Sequence, residues 1–135
     1  MPREITPGAV TSLNSKVDLV CDATAYHNLN SYGKIMVGNH GFEFYNDRNV
    51  RDYIQIPWEE VDYVIASVMF GGKLIPRYAL RTRKNGTYTF SSKKPKEVLR
   101  AINKYVADDH MVRSLSFFQV AKRNWTNRFK KLKGN

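Results

Sequence analysis

The chain has one cysteine, three scattered histidines and no long apolar run. Cys21 alone closes no internal disulfide, and with no second thiol it makes no zinc site. His27, His40 and His110 show neither HxxxH nor HExxH spacing, so no metal is expected. No stretch approaches the roughly 18 to 20 apolar residues that cross a bilayer. The opening MPREITPGAVTSLNSK lacks the apolar centre of a signal peptide, and an intracellular chain is expected. No phosphate-binding glycine loop is present, because Gly71-Gly72 and the run from Gly38 to Gly41 read as turns. Glu59, Glu60 and Asp62 are the nearest approach to an acid/base set, and WEEVD after Pro57 reads more simply as a turn or a solvated strand edge. The expectation is a non-enzymatic protein with no catalytic residue, no metal and no cofactor.

Acidic residues also run out along the chain. The net charge is +10, from 22 lysines and arginines against 12 aspartates and glutamates. From Met111 onward there are seven basic residues (Arg113, Lys122, Arg123, Arg128, Lys130, Lys131 and Lys133) and no acid, which leaves 15 basic against 12 acidic residues before it. Such asymmetry calls for an acidic partner: nucleic acid, anionic lipid or an acidic protein surface.

What is there reads as one folded domain. The 135 residues are 42% apolar and 13% aromatic, enough to bury a core. VDLVCDATAY alternates Val17, Leu19, Cys21 and Ala23 against Asp18, Val20, Asp22 and Thr24, a strand pattern in which Cys21 is a small buried hydrophobe. KIMVG and FEFYN follow, with Phe42 and Phe44 on one face and Glu43 and Tyr45 on the other. Gly38-Asn39-His40-Gly41 between them is hairpin chemistry, since Gly and Asn tolerate positive φ. In YIQIPW, Ile54 and Ile56 share a face, and Pro57 ends the strand or sets it at a sheet edge. The valines of EEVDYVIASVMF favour a strand. Asn85-Gly86, between RYALRTRK and TYTFSS, is a strong hairpin signal.

The period then changes. A helix is expected over Lys94–Val106, capped by Ser91 or Ser92, with Pro95 in its first turn. Val98, Leu99, Ile102, Tyr105 and Val106 fall on its core face. Asp108 or Asp109 can cap a second helix running through the tail.

Two basic features remain. On RYALRTRK, Arg77, Ala79, Arg81 and Arg83 share one face by the period of two. Its arginines can bind a phosphate or carboxylate in bidentate fashion, or pair with Asp62 or Glu60 across the sheet. In the tail, a helical wheel gathers Phe118, Ala121, Trp125, Phe129 and Leu132 into an arc of about 80°. Lys122 and Arg128 flank that stripe, and Arg123, Lys130 and Lys131 lie behind it. Three readings stay open: a helix that lies on a membrane surface or docks on a membrane protein, a helix packed on its own domain, and a nucleic-acid arm. For docking, the candidate contacts are Phe118, Lys122, Trp125, Arg128, Phe129, Lys130 and Lys131, with Arg77, Arg81 and Arg83 second.

The stretches SKVDLVCDATAY, SYGKIMVGNHGFEFYNDRNVRDYIQIPWEEVDYVIASVMF, RKNGTYTFSS and VADDHMVRSLSFFQVAKR together resemble the ManO family, small proteins encoded beside mannose-class sugar phosphotransferase permeases in low-GC Gram-positive bacteria. The resemblance runs from about Ser12 to Arg123, and the tail beyond lies outside it. It implies a regulator or accessory protein of the mannose phosphotransferase system, without a catalytic motif. The strand order and the helix also resemble bacterial pleckstrin-homology-like and GRAM domains, which serve as binding platforms.

The expected fold is therefore α+β: a strongly bent antiparallel β-sheet or barrel of about six or seven strands, capped by a helix, plus a C-terminal amphipathic helix. Residues 1–15 are expected as a flexible leader, 16–108 as the pleckstrin-homology-like domain, and 109–135 as the basic helix. The expected function is docking on a mannose-class permease and an anionic membrane surface, at the cytoplasmic face of the cell membrane, to modulate sugar uptake. The rival is a transcriptional regulator of the mannose operon that binds DNA through its basic tail, a mode with steep salt dependence.

Overall fold

The computed structural model describes residues 11–27, 29–49 and 51–114. The proposed tail helix, with Phe118, Lys122, Trp125, Arg128, Phe129, Lys130 and Lys131, lies outside the described residues.

The two long alternating segments form the first hairpin, β1 (Val17–His27) with β2 (Leu29–Gly38). The hairpin extends through β3 (Gly41–Asn46) and β4 (Tyr53–Pro57), all antiparallel. After a single 3-10 turn at Trp58–Glu60, β5 (Val61–Ser67), β6 (Tyr78–Thr82) and β7 (Thr87–Ser92) make a second antiparallel run. Pairing of β7 with β1 fuses the two runs. The resulting sheet is open, with eight strands in the order β4-β3-β2-β1-β7-β6-β5-β8. The expected barrel is thus not closed: β4 and β8 are its two edges. Pro57 ends edge strand β4, where a missing N–H costs no ladder bond.

The hydrophobic face is the one the alternation marks. Cys21, Ala23 and Ala25 of β1, Ile35 and Val37 of β2, and Phe42 and Phe44 of β3 are all buried. Phe90 is central, with ring centroids 4.9 Å from Phe42, 5.9 Å from Phe44 and 6.2 Å from Tyr78. Helix α1 (Pro95–Asn103) covers this face with Val98, Ala101 and Ile102. Pro95 opens the helix as expected, but neither serine caps it. Ser91 and Ser92 are spent in β7, and Lys94 is the N-cap with no side-chain bond. Asp18 on β1 ties down the far end of the helix segment, accepting from Tyr105 Oη and lying 3.3 Å from Lys104 Nζ.

The C-terminal end departs from expectation. Asp108 and Asp109 begin a 3-10 turn rather than cap a helix, and the chain continues as a strand, β8 (Met111–Ser114), parallel to β5. His110 accounts for the change. Its Nδ1 meets the Asp62 carbonyl at 2.5 Å and its ring stacks on Tyr63 at 4.9 Å, which fixes the chain alongside β5. The boundary expected at residue 108 accordingly falls inside the fold.

Residues 11–14, expected within the flexible leader, lie against β3 and β4, and Asn14 is buried. Gly38 and Gly41 serve close approach, of residues 14–16 to the first and of β4 to the second, and not positive φ, which neither of them has. A Cβ on Gly38 would stand 2.5 Å from both Asn14 Cγ and the Lys16 carbonyl oxygen, and one on Gly41 would stand 2.5 Å from the Ile56 carbonyl oxygen. The hairpin expected at Asn85-Gly86 is present, with φ 80° at Gly86.

Candidate functional site

The arginine face on β6 is where the sequence placed its second binding surface. Arg81 and Arg83 do point outward, while Tyr78, Leu80 and Thr82 are buried opposite them. Both arginines approach one carboxylate, Asp62 of β5: Arg81 Nε at 3.9 Å and Arg83 Nη1 at 3.8 Å. Arg83 is further held by its own N–H to the Glu60 carbonyl at 2.9 Å and its Nε–H to the Glu59 carbonyl at 3.2 Å. Arg77 goes elsewhere, with its guanidinium 3.9 Å above the Tyr26 ring. The cross-sheet pairing weighed from the sequence is therefore what the structure contains. Ala79, expected on this outer face, is fully buried, yet it stands apart from the main core cluster.

The strongest polar constellation centres on Glu43. Alternation sets it with Tyr45 on the face opposite Phe42 and Phe44, and there it is wholly buried. Its carboxylate accepts from Ser12 Oγ at 2.5 Å, Leu13 N at 3.0 Å, Asn14 Nδ2 at 2.8 Å, Gln55 Nε2 at 3.0 Å and Tyr45 Oη. Asn14 also donates to the Gly41 carbonyl at 3.1 Å and accepts from the His40 and Gly41 N–H groups at 2.7 and 2.9 Å. Gln55 donates to the Thr11 carbonyl at 2.8 Å. Glu43 does face away from the Phe42/Phe44 side; what buries it is the leader folded over that outer face.

Burial alone would raise the Glu43 pKa, but the bonds from Ser12, Tyr45, Leu13 and Gln55 outweigh it and hold the carboxyl below its usual range. Tyr45 moves the other way, pushed up to about 12 by burial and then by its bond to Glu43. A carboxylate kept ionised and saturated with donors has no lone pair to spare for a substrate proton. Its chemistry is structural: it fastens residues 11–14 to the sheet.

Two concavities stand out among the described residues. A cleft of about 500 Å³ on the outer face of β2, β1 and β7 is lined by Asp22, Lys34, Asp47 and Lys93, whose charges largely cancel in place. Lys34 lies 3.4 Å from Asp22 and 3.7 Å from Asp47, and Lys93 lies 3.7 Å from Asp22. A second, of about 380 Å³, opens between the β1–β2 and β3–β4 turns, with Ala25, Phe44 and Ile54 inside and His27, Asn46 and Asp52 among its polar lining. Among the described residues no group of three or more His, Cys, Asp or Glu side chains could hold a metal ion.

An open, mainly antiparallel eight-stranded sheet backed by one helix defines an α+β protein, and its polar groups knit the fold together. The family follows from the sequence: residues 9–125 match the one described as Domain of unknown function (DUF956), and the chain belongs to it. No curated protein matches the chain. Among solved structures it is similar to the crystal structure of the C-terminal domain of an unknown protein from Leishmania infantum, with a TM-score of 0.58 and 12% identity over 67% of this chain and 83% of that one. That likeness is one of fold.

Proposed function

We propose that this chain is a non-enzymatic accessory protein, built on a pleckstrin-homology-like platform, that docks on a mannose-class sugar phosphotransferase permease at the inner membrane face and modulates sugar uptake. The observation that carries the docking half is where the charge lies. In the body, Arg81, Arg83, Lys34, Lys93 and Lys104 all have carboxylates within 4.0 Å, and Glu43 is enclosed. Six of the ten net positive charges lie after β8, in a segment where six basic residues are interspersed with Phe118, Trp125 and Phe129 and no acid occurs. Such a segment is attracted to anionic leaflets at about 1 kcal/mol per basic residue. The platform reading is supported by the two antiparallel runs joined through β1 and β7 and covered by α1. The permease half rests on the resemblance in SKVDLVCDATAY and the stretches that follow it. Among the described residues no helix is long and apolar enough to cross a membrane, so attachment would be peripheral.

Sedimentation with anionic vesicles and with permease-containing membranes tests the proposal. The wild type is expected in the pellet, and Trp125→Glu is expected to move most of it to the supernatant. If neither preparation retains the wild type, the reading fails. Operator-selective binding to duplex DNA at physiological salt would replace it with the regulator reading.

A further inference from the structure

The segment between β5 and β6 has an unusual backbone. Phe70, Gly71 and Gly72 have φ values of 53°, 65° and 93°, three left-handed residues in a row. Glycine adopts that region freely, but a phenylalanine there is strained. The turn is nonetheless firmly closed. Met69 N donates to the Leu74 carbonyl at 2.9 Å, Leu74 N returns to the Met69 carbonyl at 3.2 Å, and Gly72 N reaches the Met69 carbonyl at 3.1 Å. Within this frame Phe70 is 72% exposed and Leu74 46% exposed. A Cβ placed on Gly71 would meet nothing within 4 Å, so the tip stands clear of the protein. The fold therefore holds an aromatic ring largely out in water, in a strained conformation, and no contact recorded among the described residues accounts for it.

Position matters as much as shape. Lys73 sits in the same turn, exposed. At its base, Val68 N donates to the Ser114 carbonyl at 3.2 Å, and Ser67 pairs with Ser114. Ser114 ends β8, so the basic segment begins at the foot of this turn. Six lysines and arginines follow it with no acid.

We propose that the Met69–Leu74 turn is a lipid-inserting tip that places Phe70 and Leu74 below the headgroups of an anionic bilayer. The proposal rests on the reading above only in placing the chain at a membrane. Its occupant is chosen by complementarity: an anionic bilayer offers negative charge at its surface and an apolar layer beneath it. That pair of properties matches a basic neighbourhood with an aromatic–aliphatic point. An exposed Phe–Leu tip gains little from phosphate contacts alone.

Phe70→Gly tests this, because glycine relieves the strain and a side chain that is 72% exposed gives up little packing. The full-length variant is expected to melt at the same temperature or higher, yet to bind phosphatidylglycerol-containing vesicles about tenfold more weakly, since a buried phenylalanine is worth about one decade or more. Insertion is read separately with Phe70→Cys carrying an environment-sensitive fluorophore. Cys21, at 6% exposure, is shielded from the label. A blue shift on anionic vesicles supports the proposal. Equal vesicle binding by wild type and Phe70→Gly, with the probe still in water, overturns it and leaves docking through the tail standing. Binding of the wild type to permease-containing membranes but not to protein-free vesicles overturns it as well, assigning the tip to a protein partner while docking survives. Retention by neither preparation sinks both.

Discussion

Around Glu43 a carboxylate sits inside the protein, and at Phe70 an aromatic ring sits outside it. The first departure is fully compensated: at least five donors converge on Glu43 from residues 12, 13, 14, 45 and 55. The second has no compensation among the described residues, only a turn that keeps the ring where it is. A buried charge that is saturated with donors belongs to the architecture, because removing it strands its partners. An exposed apolar group held under strain belongs to something outside the architecture. The two regions also lie in different runs of the sheet, β3–β4 and β5–β6, so each can be perturbed alone.

The sharpest way to break this comparison is to remove Glu43. Glu43→Ala leaves several buried donors unpaired, each costing about 1–3 kcal/mol before water enters, and a net loss of about 3 kcal/mol is expected. Urea denaturation followed by tryptophan fluorescence would show it as a lower midpoint. A loss below about 1 kcal/mol would mean that the carboxylate is not the clasp described, and the contrast with Phe70 would collapse.

Acid gives a graded version of the same test. Glu43 has a folded-state pKa below its ordinary value, so the stability it contributes is complete above the unfolded pKa of about 4.3. That stability is lost as pH falls through the lower folded value. Asp18 acts in the same direction, lowered chiefly by the Tyr105 hydrogen bond. The unfolding midpoint is therefore expected to be flat from neutral pH to about 5 and to decline below it. In Glu43→Gln the decline should be shallower and not absent, because Asp18 remains. An unchanged acid limb in that variant would separate Glu43 from the pH response.

Much of the fold was legible because burial on β1 follows the period of two, and on β3 and β6 the apolar residues that alternation groups together are all buried, although Glu43 and Ala79 between them are buried too. Cys21, Ala23, Phe42, Phe44, Tyr78 and Leu80 are all on the expected inner face. Val98, Ile102 and Val106 likewise occupy the expected helix face, because a single amphipathic helix has one sheet to cover. Glu43 was not legible, since alternation says which face a residue is on but not that residues 11–14 return to cover that face. Gly38 and Gly41 held a clue: two glycines flanking a hairpin can mark a close approach as well as positive φ. β8 was hidden for a similar reason. Its strand character depends on His110 meeting Asp62 and Tyr63, a contact between positions about fifty residues apart. Phe70 reads in sequence as the end of an apolar run, and only the backbone reveals that it points away from the core.

The arginine face supplies the control, a region where charge is outside and simply paired. Arg81 and Arg83 side chains are 59% and 56% exposed, and their contacts with Asp62 are long. Exposed pairs of this kind are screened and typically contribute about 0–1 kcal/mol. The double variant Arg81→Ala, Arg83→Ala is expected to lower the unfolding free energy by less than about 1 kcal/mol, with most of the effect gone in high salt. Its vesicle retention should fall far less than that of Trp125→Glu, because both guanidiniums lie beside Asp62 and that of Arg83 also donates to the Glu59 carbonyl. If instead the double variant lost membrane retention while keeping its stability, these arginines would face the partner, and the binding surface would extend from the tail across β6.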